Sequence, residues 1–590
     1  MKKRISPIFG FPLPYNRTAP SYVENRYRIR GSLTFTKLLE FLPAMIATNI
    51  STLLLTTVDG LVAGNLVGAD ALSSISFFGP IVTLIGAITA IFSTGASTVL
   101  SLRIGDADPE GIMRTKKAVK LVTVMAAIAV SVIQIPLVLG IIYSYELSPA
   151  MLPLVISYAI GLMISTPFGL VSTIGTYQLQ IMGKMKMLMY LSVMEGVLNL
   201  VLDMLFTGVL HMGVAGTGYG TAIACAVRCA ATVIFLYRKT DIFKSGDAKA
   251  GFSDIMEIIS KGLPDAAYLL VVALQNYAII RILFIYLGDS CGSIKAVCTF
   301  CYSLTNVLMS SVQGSLRPLM GLMSGAENRR GIRRLMMQGI ALIVGLSGIL
   351  VVLIEAWPGF FYRLHGVTDI PPAGEASLRF YALCITSLGI NAVFRMYFTN
   401  RGIQRFSTIL TLVGNSTMPL FALLLGRYFQ PQTIWLSYCF SALLILAVNL
   451  AVYGVQVYRD NSTAKDHIRR LYLSVDPGDA LEASRMIQDY LTEEGCPLKL
   501  ARYARLCMEE MVNYSVRASG HNSVENQIMI SFSEEEVDFM MLDNGECIVF
   551  DEDKEKQRMI TDNYTMLKRI ARSVQYQYVL NLNHTIVIFS

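Results

Sequence analysis

The stretch EFLPAMIATNISTLLLTTVDGLVAGNLVG, residues 40–68, is a long apolar run with one acid, Asp59, deep inside it. A bilayer core requires about 20 apolar helical residues, so the stretch is predicted to span a membrane. Pro43 lies near its beginning and Gly68 at its end, and Pro264 and Gly288 repeat these landmarks 221 and 220 residues later. The spacing indicates an internal duplication.

Further glycines keep the same offset along the chain. The pairs, 219 to 220 residues apart, are Gly95 with Gly314, Gly105 with Gly325, and Gly183 with Gly402. The acids that accompany the first copy are missing from the second. A duplicated membrane protein with a charged first half is typical of a transporter, because repeats provide two conformations and the acids provide a group to couple to them.

The composition supports a membrane protein. Only 15% of the 590 residues are charged and 53% are apolar, whereas soluble domains have about 25% charged residues. Twelve apolar stretches between 37 and 458 predict an all-α polytopic protein of two parallel six-helix repeats, followed by a soluble α/β domain. The predicted parts are a tail (1–36), an N-terminal lobe (37–240), a linker (241–260), a C-terminal lobe (261–460) and the soluble domain (466–590).

The basic residues predict the orientation. Lys and Arg occur in the N-terminal tail and in every second connection, and cytoplasmic loops retain such residues. Both termini are therefore predicted to be cytoplasmic. The net charge of +7 is spread over loops and not gathered on one face, which argues against a nucleic acid as partner. The ten cysteines show no metal-ligand spacing and are interpreted as reduced, structural thiols.

Four polar residues inside first-half spans are candidates for binding a cation. Asp59 lies in the first span, Asn199 and Asp203 lie four residues apart in the fifth, and Thr221 lies in the sixth. Glu195 lies on the same helical stripe of the fifth span as Asn199 and Asp203. The alternative is that Glu195 is solvated near the cytoplasmic end of that span. A protonated Asp59 bonded to a neighbouring helix, or Thr221 bonded to its own helix, would be purely structural. All-oxygen ligands suit sodium, and carboxylates alone suffice for protons.

Motifs of both halves resemble the multidrug and toxic compound extrusion (MATE) transporters. They are EFLPAMIATNI, TTVDGLVAGNLVGADALSS, STGASTVLSLRIGD, LNLVLDMLFTGVLHMGVAG and GTGYGTAIA in the first half, and ISKGLPDA, VQGSLRPLMGLMSGAENRR and NRGIQRF in the second. The resemblance implies an antiporter that exchanges protons or sodium for organic cations or other amphiphiles. It also implies that the N-terminal lobe holds the cation, at Asp59, Asn199, Asp203 and Thr221.

The second half lacks these acids. Its equivalent positions are Ile279, Pro419 and Leu423. Basic residues lie in or near its spans instead, with one acid toward an outer end: Arg281, Lys295, Arg317, Arg395 and Glu355. For Arg281 and Arg317 the alternatives are pairing near a helix end or lining a substrate path. A basic lobe departs from a simple organic-cation pump, so anionic or zwitterionic substrates remain alternatives.

The soluble part resembles the histidine-kinase-type (GHKL) ATPase fold, and most closely the anti-sigma-factor serine kinases, through CMEEMVNYS and LDNGECIVF. The resemblance implies Glu509 as the catalytic base, Asn513 as a magnesium ligand, and Asp543 with Gly545 as nucleotide-binding residues for ATP. Three features depart from the pattern and predict a degenerate enzyme: Cys547 replaces a glycine, Arg517 replaces a histidine, and TDNYTMLKRIA (561–571) lacks lid glycines.

The leading hypothesis is a cation-coupled exporter of small amphiphilic substrates in a bacterial-type inner membrane. Its soluble domain is expected to regulate transport or to engage a cytoplasmic regulatory protein. Two alternatives stay open: a membrane-tethered signalling protein with an anti-sigma-type serine kinase domain, and a lipid-linked precursor flippase. Gradient-driven efflux separates the first hypothesis from both.

Overall fold

The computed structural model describes residues 32–68, 74–75, 78–106, 108–144, 151–239, 250–287, 291–364, 370–462, 469–519, 524–533, 535–547 and 567–590. It divides into two compact units. One is Thr34–Leu450, and the other contains Ala451–Ser590. Each unit is described by itself below.

Long helices form the first half of the larger unit. They are α1 (Ser32–Leu66), α2 (Gly79–Gly105), α3 (Pro109–Ser144), α4 (Met151–Ile181), α5 (Met185–Asp203) and α6 (Val214–Lys239). A π-helical turn, Met204–Val209, follows α5 directly. Hydroxyl side chains inside these helices bond to carbonyls one turn back, as Thr48 does to Ala44. Such bonds allow polar residues to lie inside apolar helices.

Helices also make up the second half. They are α7 (Phe252–Leu287), α8 (Cys291–Gly325), α9 (Arg329–Ala356), α10 (Pro358–Leu364), α11 (Gly374–Ala382), α12 (Ile385–Asn400), α13 (Gln404–Tyr428) and α14 (Leu436–Ser462). Across the described residues, ten helical segments are long and apolar enough to cross a membrane. The polytopic helical fold is therefore confirmed, while the count of twelve spans stays a prediction. Helices α7 and α8, at two of the predicted spans, are not among the ten.

Glycines of α2, α7 and α8 allow the backbones of the two halves to come close together. At four places a Cβ atom would lie 1.8 to 2.0 Å from a backbone oxygen of the other half: Gly95 at Ile258, Gly262 at Ile91, Gly105 at Leu322, and Gly325 at Leu102. Only glycine permits helix backbones to come this close. Gly105 and Gly325 are the last residues of α2 and α8 and adjoin basic connections of the sequence, whereas Gly95 and Gly262 lie within α2 and α7.

Away from this end, each half has its own core. One buried cluster includes Phe78, Val155 and Tyr158 of the first half. Another includes Ile279 and Trp435 of the second half.

The smaller unit contains a five-stranded antiparallel sheet. Its strands are β1 (Arg469–Val475), β2 (Asn526–Phe532), β3 (Val537–Asp543), β4 (Ser573–Val579) and β5 (Leu582–Phe589), in the order β1-β2-β3-β5-β4. Helices α15 (Ala480–Glu493) and α16 (Leu498–Ser519) pack against one face, where alternate apolar residues of the strands form a common core with them. The structure shows this sheet, but the assignment of the unit to the GHKL fold is not confirmed and stays a prediction.

Candidate functional site

The structure brings Asp59, Asn199, Asp203 and Thr221 together inside the first half. The Nδ2 atom of Asn199 lies 3.4 Å from Asp59 Oδ1, 3.4 Å from Asp203 Oδ1 and 3.0 Å from Thr221 Oγ1. The Thr221 hydroxyl lies 2.9 Å from Asp59 Oδ2. Both carboxylates and the amide are buried. Side chains from α1, α5 and α6 thus form one polar cluster, which we call the oxygen cluster.

Helix geometry places the two α5 members. Asn199 and Asp203 are four residues apart, so they lie on the same face, and every polar residue of that buried stripe points inward. Asp203 is the last α-helical residue before the π-helical turn. π-helical turns occur frequently at functional sites.

Two members of the site were not identified from the sequence. The Tyr158 hydroxyl on α4 donates to Asp59 Oδ2 at 3.3 Å. Gly220 on α6 makes room for Asp203, because a Cβ atom there would lie 2.2 Å from Asp203 Oδ1. The chain has 28 tyrosines and 45 glycines, so neither residue stands out in the sequence.

Glu195 belongs to a different interaction. It lies on the same α5 stripe, but its carboxylate is buried against the guanidinium of Arg228 on α6. Arg228 also donates to Thr176 Oγ1 on α4 at 3.0 Å. Glu195 is thus neutralised by a neighbouring helix, and it is not the solvated residue that one reading of the sequence expected.

The oxygen cluster has unused acceptors. Within the described part of the chain, Asn199 Oδ1 and Asp203 Oδ2 are buried without a hydrogen-bond partner. A buried acceptor without a donor is costly, and a buried carboxylate without a counter-charge more so. The carboxylate, amide and hydroxyl oxygens fit a proton or a hard cation such as sodium.

The second half has a different arrangement at the equivalent positions. Ile279 is buried in the apolar core and Leu423 is exposed on the surface of α13. Asp265 on α7 is an acid of this half that the sequence reading did not single out. Its carboxylate lies 2.8 Å from Arg317 and 3.0 Å from Arg395. Arg317 therefore pairs inside the protein.

In the smaller unit, internal contacts engage the predicted nucleotide residues. Glu509 accepts hydrogen bonds from Ser484 and, at 3.0 Å, from Arg505. Asp543 Oδ1 accepts from Asn583 at 2.7 Å and from the Gly545 amide at 2.9 Å. Burial raises the pKa of Asp543 and these hydrogen bonds partly offset the shift.

Asn513 is exposed on α16, and Cys547 is exposed at the end of the described loop. Residues 561–566 of the predicted lid segment lie outside the described residues. The arrangement gives no support to binding of ATP and magnesium.

Solved structures share the fold of the larger unit. A MOP superfamily transporter from Pyrococcus furiosus Vc1 (DSM3638) is 18% identical with a TM-score of 0.67, and the match covers 72% of this chain and 96% of that one. An outward-facing multidrug resistance MATE family transporter is 18% identical with a TM-score of 0.67, and the match covers 73% of this chain and 97% of that one. A MATE protein in complex with MaL6 is 18% identical with a TM-score of 0.64, and the match covers 72% of this chain and 97% of that one. No curated protein matches the chain.

The family is shown by the sequence itself. The model of the MatE family matches residues 44–205 and 268–424, one segment in each half. Together the two segments cover more than half of the 590 residues. They include Asp59, Asn199 and Asp203 of the oxygen cluster. The chain therefore belongs to the MatE family of transporters.

Proposed function

We propose that this protein is a cation-coupled antiporter that exports small amphiphilic compounds, with the oxygen cluster as its coupling site. The observation that carries the proposal is the meeting of two buried carboxylates, an amide and a hydroxyl from three helices, with acceptor oxygens left over. Two other acids inside the larger unit, Glu195 and Asp265, have arginine partners. Asp59 and Asp203 have no ion pair with a Lys or Arg among the described residues.

Electrostatics explains why the cluster would bind a cation. Two carboxylates that share one amide repel each other, and burial removes the water that would screen them. A proton or sodium ion between them relieves both costs. A cation that descends the membrane potential supplies about 2.3 kcal/mol per charge per 100 mV. Coupling this descent to a change of shape would drive export.

Alternating access would use two six-helix lobes, 37–240 and 261–460, with twelve spans in total. The contacts of Gly105 and Gly325 bring the two halves together at helix ends that adjoin basic connections, which supports closure at that end. Because basic connections favour the cytoplasmic side, this conformation would be closed to the cytoplasm, with both termini on that side of a bacterial-type inner membrane. Loading the oxygen cluster would favour one of the two lobe arrangements.

For residues 466–590 we propose a regulatory role through a cytoplasmic partner protein. The oxygen cluster lies wholly in Thr34–Leu450, and nothing in its chemistry requires ATP. A calorimetric titration of the full chain with ATP and magnesium, compared with Asn513→Ala, tests whether a nucleotide takes part. Heat that saturates in the parent and disappears in the variant would support a nucleotide-dependent regulator.

Transport in proteoliposomes tests the proposed function. A pH gradient and a sodium gradient are imposed separately, and efflux of cationic and anionic fluorescent amphiphiles is followed. We expect one gradient to drive efflux, and Asp59→Asn and Asp203→Asn to abolish the driven component. Glu110→Gln, an exposed acid at the start of α3, is the matched control and should leave efflux unchanged. Driven efflux that survives in both aspartate variants would remove the coupling site.

A further inference from the structure

The five-stranded sheet of the smaller unit carries a row of apolar residues on the face opposite the helices. The register places Tyr472 of β1 opposite Met529 of β2. Met529 in turn lies opposite Met540 of β3, and Met540 lies opposite Ile586 of β5. Directly paired residues share a face, whereas successive residues alternate, so Met541 points to the helices and Met540 away from them. We call Tyr472, Met529, Met540 and Ile586 the methionine row.

The methionine row is buried although it faces away from both helices. Tyr472 is 7% exposed, and Met529 and Met540 are each 6% exposed. The adjoining pair on the same face, Leu542 and His584, is buried as well. An antiparallel sheet with one face in water normally carries polar side chains there. Because the described helices of this unit pack on the opposite face, the methionine row needs another cover.

The chemistry of the methionine row favours an aromatic cover. Methionine is unbranched and polarisable, so it adapts to the shape of a partner, and its sulfur makes favourable contacts with aromatic rings. Tyr472 adds a ring of its own at the β1 end of the row. A segment with several aromatic side chains on one side would therefore fit this face.

The N-terminal tail has the sequence pattern of such a segment. Every second residue of FGFPLPY, residues 9–15, is large and apolar, namely Phe9, Phe11, Leu13 and Tyr15. In an extended chain, residues with this spacing lie on one side. Pro12 and Pro14 between them have no N–H group. The stretch is therefore poorly suited to pairing at the edge of a sheet, but it can lie across a face.

Length and charge also favour the tail. Residues 1–31 form the longest segment outside the described residues, and the next longest, 548–566, contains the highly charged run DEDKEKQR (551–558). The tail has seven Lys or Arg and one Glu, whereas residues 469–590 have thirteen Lys or Arg and twenty Asp or Glu. Their opposite net charges would attract the tail to the smaller unit.

We propose that the N-terminal tail docks on the methionine row of its own chain, with Phe9, Phe11, Leu13 and Tyr15 against the apolar face. The tail continues directly into α1, which carries Asp59. Docking would thus connect the sheet to α1 through the tail, in addition to its chain connection to α14. The inference goes beyond the proposed export function. Docking needs no bound cation, so Asp59→Asn should leave it intact.

Oxidation of methionines in the full-length protein tests the cover. The rates of oxidation by hydrogen peroxide at Met529, Met540 and Met541 are measured by mass spectrometry, in the parent and in a triple variant with Phe9→Ser, Phe11→Ser and Leu13→Ser. We expect Met529 and Met540 to react about tenfold faster or more in the variant, because the loss of one buried apolar side chain already shifts a docking equilibrium by about that factor. Met541, on the helix-facing side, should keep its protection.

A matched triple variant of the same tail is the control. Tyr22→Ser, Val23→Ser and Tyr27→Ser lie outside the alternating stretch and should leave all three rates unchanged. Unchanged rates in the first variant overturn the proposal. Protection of Met540 that depends on anionic lipid or on protein concentration, instead of on the tail, would indicate a membrane or a second copy as the cover and would also overturn it.

A cross-link locates the tail without removing apolar side chains from most of the stretch. Phe11→Cys and Met540→Cys are combined in a background with Cys547→Ser, which removes an exposed thiol. We expect mild oxidation to join the two introduced thiols within one chain, and Tyr22→Cys with Met540→Cys to react far less. If the serine variant also exposes Met541, this cross-link decides. A link between two chains, or none, contradicts docking of the chain's own tail.

Discussion

Four acids inside the larger unit fall into two groups that differ in their partners. Glu195 lies against Arg228, and Asp265 lies between two arginines. Asp59 and Asp203 both contact the Asn199 amide, and Asp59 also contacts the Thr221 hydroxyl. Neither acid has an ion pair among the described residues. An acid that is paired with a buried arginine has a structural role, whereas an acid without a basic partner is available to bind a mobile cation.

The first prediction concerns the neutralised acid. Glu195→Gln leaves the Arg228 guanidinium buried without its counter-charge and should destabilise the protein by about 3 kcal/mol or more. Thermal unfolding in detergent measures the loss. The double variant Glu195→Met with Arg228→Met removes both charges and should recover most of the stability while keeping driven efflux. Efflux that is lost in a stable double variant would show that Glu195 belongs to the coupling site.

Gly220 provides a test that removes no oxygen from the site. In Gly220→Ala the new Cβ would lie 2.2 Å from Asp203 Oδ1, so the carboxylate must move away. We expect the ion concentration at half-maximal driven efflux to shift by about tenfold, which for protons is about one pH unit, because roughly one strong contact is lost. Gly169→Ala on α4, with open space around it, is the control and should behave like the parent.

How far the site could be predicted differs from residue to residue. Asp59, Asn199 and Asp203 were proposed because an acid in an apolar span is costly, and because i, i+4 spacing places residues on one face. Thr221 was added as a hydroxyl in the sixth span. Tyr158 could not be identified in this way, because a tyrosine is inexpensive in a span and its role depends on which helix lies opposite. The requirement for Gly220 exists only once α5 and α6 are packed.

At the scale of elements, the close contact of α2 with α7 and α8 depends on glycine. Gly325→Ala would place a Cβ 1.8 Å from Leu102 O and should hold the two halves apart at this end, although alanine normally favours a helix. We expect lost efflux, and increased maleimide labelling of a cysteine introduced at the buried Leu322 above the labelling of the parent. Gly345→Ala on α9, where no atom lies within 4 Å, is the matched control. Unchanged labelling in Gly325→Ala would contradict a closing role.

Strand β5 carries a histidine whose burial lowers its pKa from 6.5 to about 4. Neither ring nitrogen of His584 has a hydrogen-bond partner in the part of the chain that the structure describes. Above pH 6.5 the histidine is neutral in both the folded and the unfolded state. As pH falls from 6.5 to 4, only the unfolded state takes up the proton, so the free energy of unfolding should fall by about 3 kcal/mol.

Hydrogen exchange of Leu582–Phe589 in the full chain, corrected for intrinsic rates, measures this effect. His584→Leu keeps every carboxylate but removes the titrating ring, so its stability should decline less over the same pH range. Parallel curves for the two proteins would show that the buried ring does not control the acid sensitivity of the sheet.

The same scale shows where sequence patterns reach their limit. Long apolar runs predicted the membrane helices because the bilayer fixes their length. Strand β1 was not predicted, because RRLYLSV is short and follows directly on the membrane part. Its pairing with β2, from Arg469 opposite Phe532 to Val475 opposite Asn526, is a long-range choice that local alternation does not encode.

At the scale of the whole molecule, the proposed coupling site is confined to one unit. The oxygen cluster and the glycine contacts both lie in Thr34–Leu450. A chain that ends after Ser462 should therefore retain gradient-driven efflux, with the same dependence on Asp203. The measurement is initial efflux in proteoliposomes at matched protein density, with truncated Asp203→Asn as the negative control. The intact and truncated chains would share one coupling site. Removing residues 463–590 should therefore change the rate of efflux, through loss of regulation, but the same ion gradient should drive efflux. A correctly inserted truncated protein without driven efflux would place part of the transport machinery in the sheet-containing unit.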